Sequence, residues 1–388
     1  MKHILVIITS FRHGGISKSL QNITSLIDND KYNIDIFALE HYGPYQTMLS
    51  NCNILKSNIF VESLIANWRD TKGIAKLRTG IMKVTCKIVA LIKIDLQNIV
   101  FKLAAKNLIK KDYDRVIAFS EGVPTVFASF LPFSNKIAWI HCDYSSYMKL
   151  NKYPDELKIY KIYKSIVCVS QYTNDEFCKY YPELSKKTYA LKNIIDTAYV
   201  LNKANDLIID SCYSNNQFNI ISIGGINVVK RFSKIPEIVR ALLDKGCVFR
   251  WYLIGSTMQI QEQNVLENNM KKYDVEDYFI CLGAKDNPYP YISQADLLVN
   301  TSISEAAPHV INEALILHVP VVCTDFGSAK EFIDNGVNGL IVPIEEIVKK
   351  VEQLIKDKSE YNKLKKGVSK FTYRNDLILK QLYMLLES

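Results

Sequence analysis

Several things are missing from this 388-residue chain. No two of its nine cysteines form a Cys-x-x-Cys pair, and their number is odd, so neither a disulfide framework nor a zinc site is suggested and reduced thiols are expected. No stretch approaches the ~20 consecutive apolar residues that cross a bilayer. The N-terminus, MKHILVIITSFRHGG, has an apolar run only from Ile4 to Ile8, too short for a secretion signal, and it reads as a buried first strand. No repeat, low-complexity tract, metal-ligand cluster, P-loop or Ser-His-Asp order stands out. These absences point to a cytoplasmic protein that needs neither metal nor cofactor.

What is present suits two packed domains. The length exceeds one ordinary domain and fits two of about 150–200 residues each. Hydrophobic residues make up 48% and charged residues 23%, which permits real cores and argues against disorder. The net charge of +8 is concentrated: residues 69–115 hold 12 basic and four acidic residues, a surplus of eight. Lysines there recur among Ile, Leu, Val and Phe. Such a segment reads either as a surface helix pair with a solvated basic face or as an amphipathic element on an anionic membrane surface, which would place the protein peripherally on the inner face of the plasma membrane. No stacking-aromatic motif accompanies the lysines, so nucleic acid is not an expected partner.

Short apolar runs alternate with stretches of helical period, the pattern of parallel βαβ units. HILVIIT (3–9), IDIFAL (34–39), RVIAFS (115–120), KIAWIH (136–141), SIVCVS (165–170) and KTYALKN (187–193) serve the first half. FNIISIG (218–224), WYLIG (251–255), YFICLG (278–283), ADLLVNTS (295–302), PVVCTD (320–325) and GLIVP (339–343) serve the second. They are rich in β-branched residues and lack alternation, as strands covered on both faces do. Residues 194–217 lose strand character and read as the interdomain connection. The expected fold is α/β, with two doubly wound Rossmann-like domains over 1–196 and 197–372. A terminal helix at 373–388 is expected to pack back on the first domain. Ligands should bind at the carboxyl ends of the strands.

The sharpest motif is NTSISEAAPHVINEALILHVPVV, in which Glu305 and Glu313 are separated by seven residues. It begins in a loop after a strand and continues into a helix. Ser304 or Thr301 is a candidate cap for that helix, and Pro308 suits an early helical position. Free amides at the helix start favour an anionic group such as a diphosphate. Near the front, the Gly14-Gly15 turn lacks the third glycine of a dinucleotide fingerprint, which argues against a dehydrogenase.

The run S-x-x-E-[small]-x-P-x-x-x-x-E-A-L resembles the donor-binding segment of retaining GT-B glycosyltransferases of family 4. The resemblance extends to ISIGGINVVKRF (221–232), FICLGAKDNPYPYISQADLLV (279–299), EFIDNGVNGLIVP (331–343), WIHCDY (139–144), VCVSQYTNDEF (167–177) and KNIID (192–196), in the family's order. It implies two domains facing each other across a cleft, and transfer of a hexose or N-acetylhexosamine from a nucleoside diphosphate sugar, a UDP-sugar for preference. The acceptor implied is a glycan, lipid-linked, in capsule or exopolysaccharide assembly. By resemblance, Glu305 touches donor-sugar hydroxyls, Lys230 neutralises the diphosphate and His141 lies near the reacting groups. Glu313 holds the ribose, and Gly14, Gly15, Ala307, Pro308 and His309 belong to the donor-binding surface. Where the family usually carries an arginine on the diphosphate, this chain has Gly225, and Arg231 is the candidate substitute. A weakly catalytic nucleotide-sugar-binding partner and a GT-B-fold epimerase are the rival expectations.

Overall fold

The apolar runs become strands of two separate parallel sheets. The computed structural model describes every residue except 92–94, 109–110, 151–155, 209, 211–212 and 214–216. Parts of the basic segment and of the expected connection, including Cys212, therefore lie outside the described residues. The chain divides into two units, Met1–Ile195 with Asn375–Ser388, and Asp196–Arg374.

Among the described residues the first unit holds seven strands: β1 (Lys2–Ile8), β2 (Tyr32–Ala38), β3 (Cys52–Ile54), β4 (Arg115–Ala118), β5 (Lys136–Ile140), β6 (Ser165–Cys168) and β7 (Thr188–Ala190). Their order is β3-β2-β1-β4-β5-β6-β7, all parallel, with Ile4 opposite both Ile34 and Arg115. Ile4–Ile8, Val116, Ile137–Ile140 and Ile166–Cys168 are buried, because helices cover both faces of the sheet. The order reverses between β1 and β4, so the chain leaves opposite sides of the sheet there and opens a crevice at the strands' carboxyl ends.

The terminal helix Asn375–Glu387 completes this unit. Tyr383 stacks on Tyr32 with ring centroids 5.6 Å apart, and Glu387 meets Lys2 at 2.6 Å and the Tyr32 hydroxyl at 2.7 Å. Asn375 exchanges hydrogen bonds with the backbone of Ile195, donating to its carbonyl at 2.6 Å and accepting from its amide at 3.2 Å.

The second unit repeats the plan with β8 (Phe218–Ile223), β9 (Phe249–Ile254), β10 (Phe279–Gly283), β11 (Leu297–Asn300), β12 (Val321–Thr324) and β13 (Gly339–Val342). Their order is β10-β9-β8-β11-β12-β13, again parallel, with the reversal between β8 and β11.

Three details depart from the sequence reading. The run at 187–193 yields only the three-residue edge strand β7. β3, half-buried and carrying exposed Asn53, arises in a region without an apolar run. Within the segment read as a connection, Thr197–Lys203 is a helix of the second unit. Asp196 caps it by accepting from the Tyr199 amide at 2.9 Å, and Val200 is buried.

Candidate functional site

At the reversal point of the second unit, the loop after β8 meets the loop after β11. The β8 loop begins with a close approach: a Cβ on Gly255 would lie 1.8 Å from the Gly224 carbonyl oxygen, so only glycine fits there. A Cβ on Gly225 would lie 2.1 Å from the Met258 sulfur, which means that the Met258 thioether covers the position where a longer side chain would start. The chain then makes a tight turn over Val228–Lys230, with the Asn227 side chain accepting from the Lys230 amide at 3.1 Å.

The turn ends on Arg231, whose φ of +52° lies in the left-handed region. For a residue with a Cβ this costs roughly 1–2 kcal/mol. The side chain supplies the compensation. Its Nε donates to the Thr301 carbonyl at 2.8 Å and its Nη2 to the Ser302 carbonyl at 3.1 Å. Thr301 Oγ1 donates back to the Lys230 carbonyl at 2.7 Å, and the Ile303 amide to the Val229 carbonyl at 2.8 Å. Burial lowers the guanidinium pKa, and the group serves as a clamp between the two loops.

That clamp delivers Lys230 to Glu305. Lys230 Nζ pairs with Glu305 Oε1, and both side chains are mostly buried. The same oxygen accepts from Ser302 Oγ at 2.7 Å and Asn300 Nδ2 at 3.3 Å, while Ser328 Oγ donates to the Glu305 carbonyl at 2.8 Å. Asn300 Oδ1 in turn receives the Ser302 amide at 2.9 Å. Glu305 is thus held by the end of β11 and by the segment after β12.

The next helix runs His309–Ile316, and Pro308 is its cap residue rather than an early helical one. Pro308 makes no side-chain cap bond. Thr301, one of the two expected caps, spends its hydroxyl on the Lys230 carbonyl instead. The start of a helix favours an anionic group through its backbone amides and dipole. Ala307 and Pro308 form the approach to this end. Glu313 lies on the same helix, 4% exposed, and accepts from the Tyr289 hydroxyl at 3.3 Å.

In the first unit, Gly14 is the cap residue of the helix Gly15–Leu26, directly after β1, and a Cβ there would meet open space. Glu40 follows β2 closely, but Arg12 takes its carboxylate through Nη2 at 2.9 Å and Nε at 3.3 Å. His141 stands at the end of β5, its ring 4.8 Å from Phe119 and nearly parallel to Trp139 at 6.1 Å. Sequence reasoning missed its companion Glu121, whose Oε2 accepts the His141 amide at 2.9 Å. Burial pushes the Glu121 carboxyl up from the usual range. A carboxylate directly after a buried strand, in FSEG (119–122), was the available signal. Glu305, Lys230, Arg231, Gly225 and the 309–316 helix are therefore gathered in the second unit, whereas His141, Gly14 and Gly15 belong to the first.

Among the described residues no group of three or more His, Cys, Asp and Glu side chains could hold a metal ion. Two Asp-x-Asp triplets occur, at 28–30 and 112–114; Asp28 is paired with Lys31 at 3.0 Å, and Asp114 accepts the His3 amide at 2.7 Å.

Residues 212–371, within the second unit, match the family model described as glycosyl transferases group 1. The chain is 26% identical over 183 residues to an N-acetylgalactosaminyltransferase of Campylobacter jejuni that acts on N-acetylgalactosamine-N,N'-diacetylbacillosaminyl-diphospho-undecaprenol; 47% of each chain is covered. It is 45% identical over 124 residues to a putative teichuronic acid biosynthesis glycosyltransferase, TuaC, of Bacillus subtilis, covering 32% of this chain and 28% of the relative. The matched part spans less than half of each of these relatives. Over the full length of both chains the fold is similar to HepE of Anabaena in complex with UDP and glucose, at a TM-score of 0.70 and 17% identity. A mutant of S. aureus TarM in complex with fondaparinux, alpha-GlcNAc-glycerol and UDP gives a TM-score of 0.71 at 13% identity, also over both full chains. These likenesses identify the fold as GT-B.

Proposed function

Proceeding from the match to glycosyl transferases group 1 and from the GT-B fold, we propose that the protein is a retaining glycosyltransferase. It moves a hexose or N-acetylhexosamine from a UDP-sugar to an acceptor hydroxyl of a lipid-linked glycan, in the assembly of a surface polysaccharide. The observation that carries this reading is the Lys230–Glu305 pair, in the loops that precede the helix His309–Ile316.

Each member of the pair satisfies the other's charge and has a task toward a donor. The diphosphate takes the Lys230 ammonium and the amides at the helix start; the sugar hydroxyls take the Glu305 carboxylate. As the bond to the anomeric carbon breaks, charge grows on the leaving diphosphate, and a fixed ammonium with helix-end amides stabilises it without a metal. The sugar passes through an oxocarbenium-like state. Departure and attack on one face leave the configuration unchanged, with the departing phosphate as base. Glu313 holds the ribose. In this scheme Arg231 holds Lys230 in place and leaves the diphosphate to Lys230.

One observation favours a second reading. Gly225 offers no cation and Met258 lies over it, as suits a subunit that binds a nucleotide sugar and turns it over poorly.

Calorimetric titration of UDP with and without EDTA tests the binding half of the proposal. The expected result is binding indifferent to EDTA and weakened at least about tenfold by Lys230→Met, the loss of one charge-assisted contact. Failure to bind UDP, or equal binding by the variant, would remove the site.

A further inference from the structure

The helix Gly73–Leu91 packs loosely on one side, where Thr79 is its one buried residue, and leaves the other side bare. Ile74, Leu77, Ile81, Val84, Ile88 and Leu91 are 57–84% exposed. Their spacing alternates between three and four residues, which places all six along one stripe of an α-helix. The packed side is different: Thr79 is buried, and Arg78 donates to Ser63 Oγ at 2.6 Å and reaches Glu62 at 3.5 Å. Single exposed apolar residues are ordinary on a protein surface. A continuous row along about 26 Å of helix is not.

Charge identifies what covers it. The helix contains no acidic residue, and Lys76, Lys83 and Lys87 follow one flank of the stripe. Lys76 Nζ lies 4.3 Å from the centre of the Trp68 ring, which is itself 48% exposed. The neighbouring helix Leu96–Leu108 also contains no carboxylate and shows Ile99, Leu103, Lys102 and Lys106 to solvent. A second copy of this surface would set lysine against lysine with no carboxylate between them. Negative headgroups above acyl chains match both the stripe and its flank. Lysine stems lying on apolar surface, with an aromatic at the edge, suit a helix in the interfacial plane.

We propose that the helix Gly73–Leu91 lies flat on an anionic lipid bilayer, with the stripe in the acyl boundary and Lys76, Lys83, Lys87 and Trp68 at headgroup level. It lies on the bilayer and does not cross it: no helix among the described residues is long and apolar enough to span. The inference concerns binding alone and does not depend on the donor chemistry above.

The test mixes the full chain with vesicles of phosphatidylcholine, alone or with phosphatidylglycerol, and pellets them. The expected result is sedimentation only with the anionic vesicles and release by high salt. Trp139 and Trp251 are buried, so a blue shift of tryptophan emission on binding should come from Trp68 and vanish in Trp68→Phe. Ile81→Glu with Ile88→Glu, both at exposed positions, should keep the native circular dichroism and lose at least about tenfold in vesicle binding. A wild-type chain that stays in the supernatant, or a double variant that binds equally, overturns the proposal. So does a lipid-free dimer that the double variant dissociates, which would assign the stripe to a second copy. UDP release measured on the same samples without vesicles reads the transferase proposal separately.

Discussion

Lys230 and Glu305 stand 75 positions apart in the sequence and form one ion pair in the second unit. Adjacent strands β8 and β11 bring them together, since both residues lie in loops at carboxyl ends where the strand order reverses. Two mostly buried charges fixed by shared hydrogen bonds should be coupled. A double-mutant cycle with Lys230→Met and Glu305→Gln, read by urea unfolding, should give a coupling of about 1–3 kcal/mol. Additive effects would show that the pair is incidental.

Arg231 combines a left-handed backbone with a side chain that clamps two loops. Glycine accepts that backbone freely and alanine does not. Arg231→Gly should therefore be more stable than Arg231→Ala by about 1–2 kcal/mol in urea unfolding. Both should lower donor turnover several-fold, because neither holds the carbonyls of Thr301 and Ser302. Equal stability of the two variants would remove the backbone argument, and unchanged turnover would remove the clamp.

Met258 covers Gly225, yet it is itself 64% exposed. Gly225→Arg combined with Met258→Ala should place a second cation near the diphosphate and tighten UDP binding by about tenfold. Unchanged or weaker binding in calorimetry would mean that this loop does not face the diphosphate.

Lys136 opens strand β5 almost fully buried, with Nζ donating to the Ser129 carbonyl at 2.9 Å. Burial pushes its pKa down to about 8, from 10.5 for the unperturbed group. Below that range the lysine is charged in both states, and the folded protein bears the full cost of the buried ammonium. Between about pH 8 and 10.5 the unfolded chain binds more protons, so this group's contribution to stability rises with pH at up to about 1.4 kcal/mol per unit. Relative to Lys136→Met, the wild type should gain stability across that window. A difference that stays flat with pH would contradict the buried lysine.

The strands were legible because they are buried on both faces and read as unbroken apolar runs. β3 escaped because half of it faces solvent and Asn53 interrupts any pattern. The helix carrying Glu313 was legible, but its cap was not. Nothing local reveals that the Thr301 hydroxyl is claimed by Lys230, 71 positions away. Glu305 and Lys230 could be singled out by motif order, whereas their pairing needed the sheet. Glu121 went unnoticed since its partner is a backbone amide, which leaves no mark on side-chain spacing.

The most direct test of the central claim is release of nucleoside diphosphate from a panel of UDP-, GDP- and ADP-sugars by purified wild type and Glu305→Gln. The account predicts slow release from a UDP-sugar, insensitive to EDTA and lost in the variant, whose shape is preserved but whose charge is gone. Release that the variant matches, or bound UDP-sugar that is never turned over even with a lipid-linked acceptor, would contradict it.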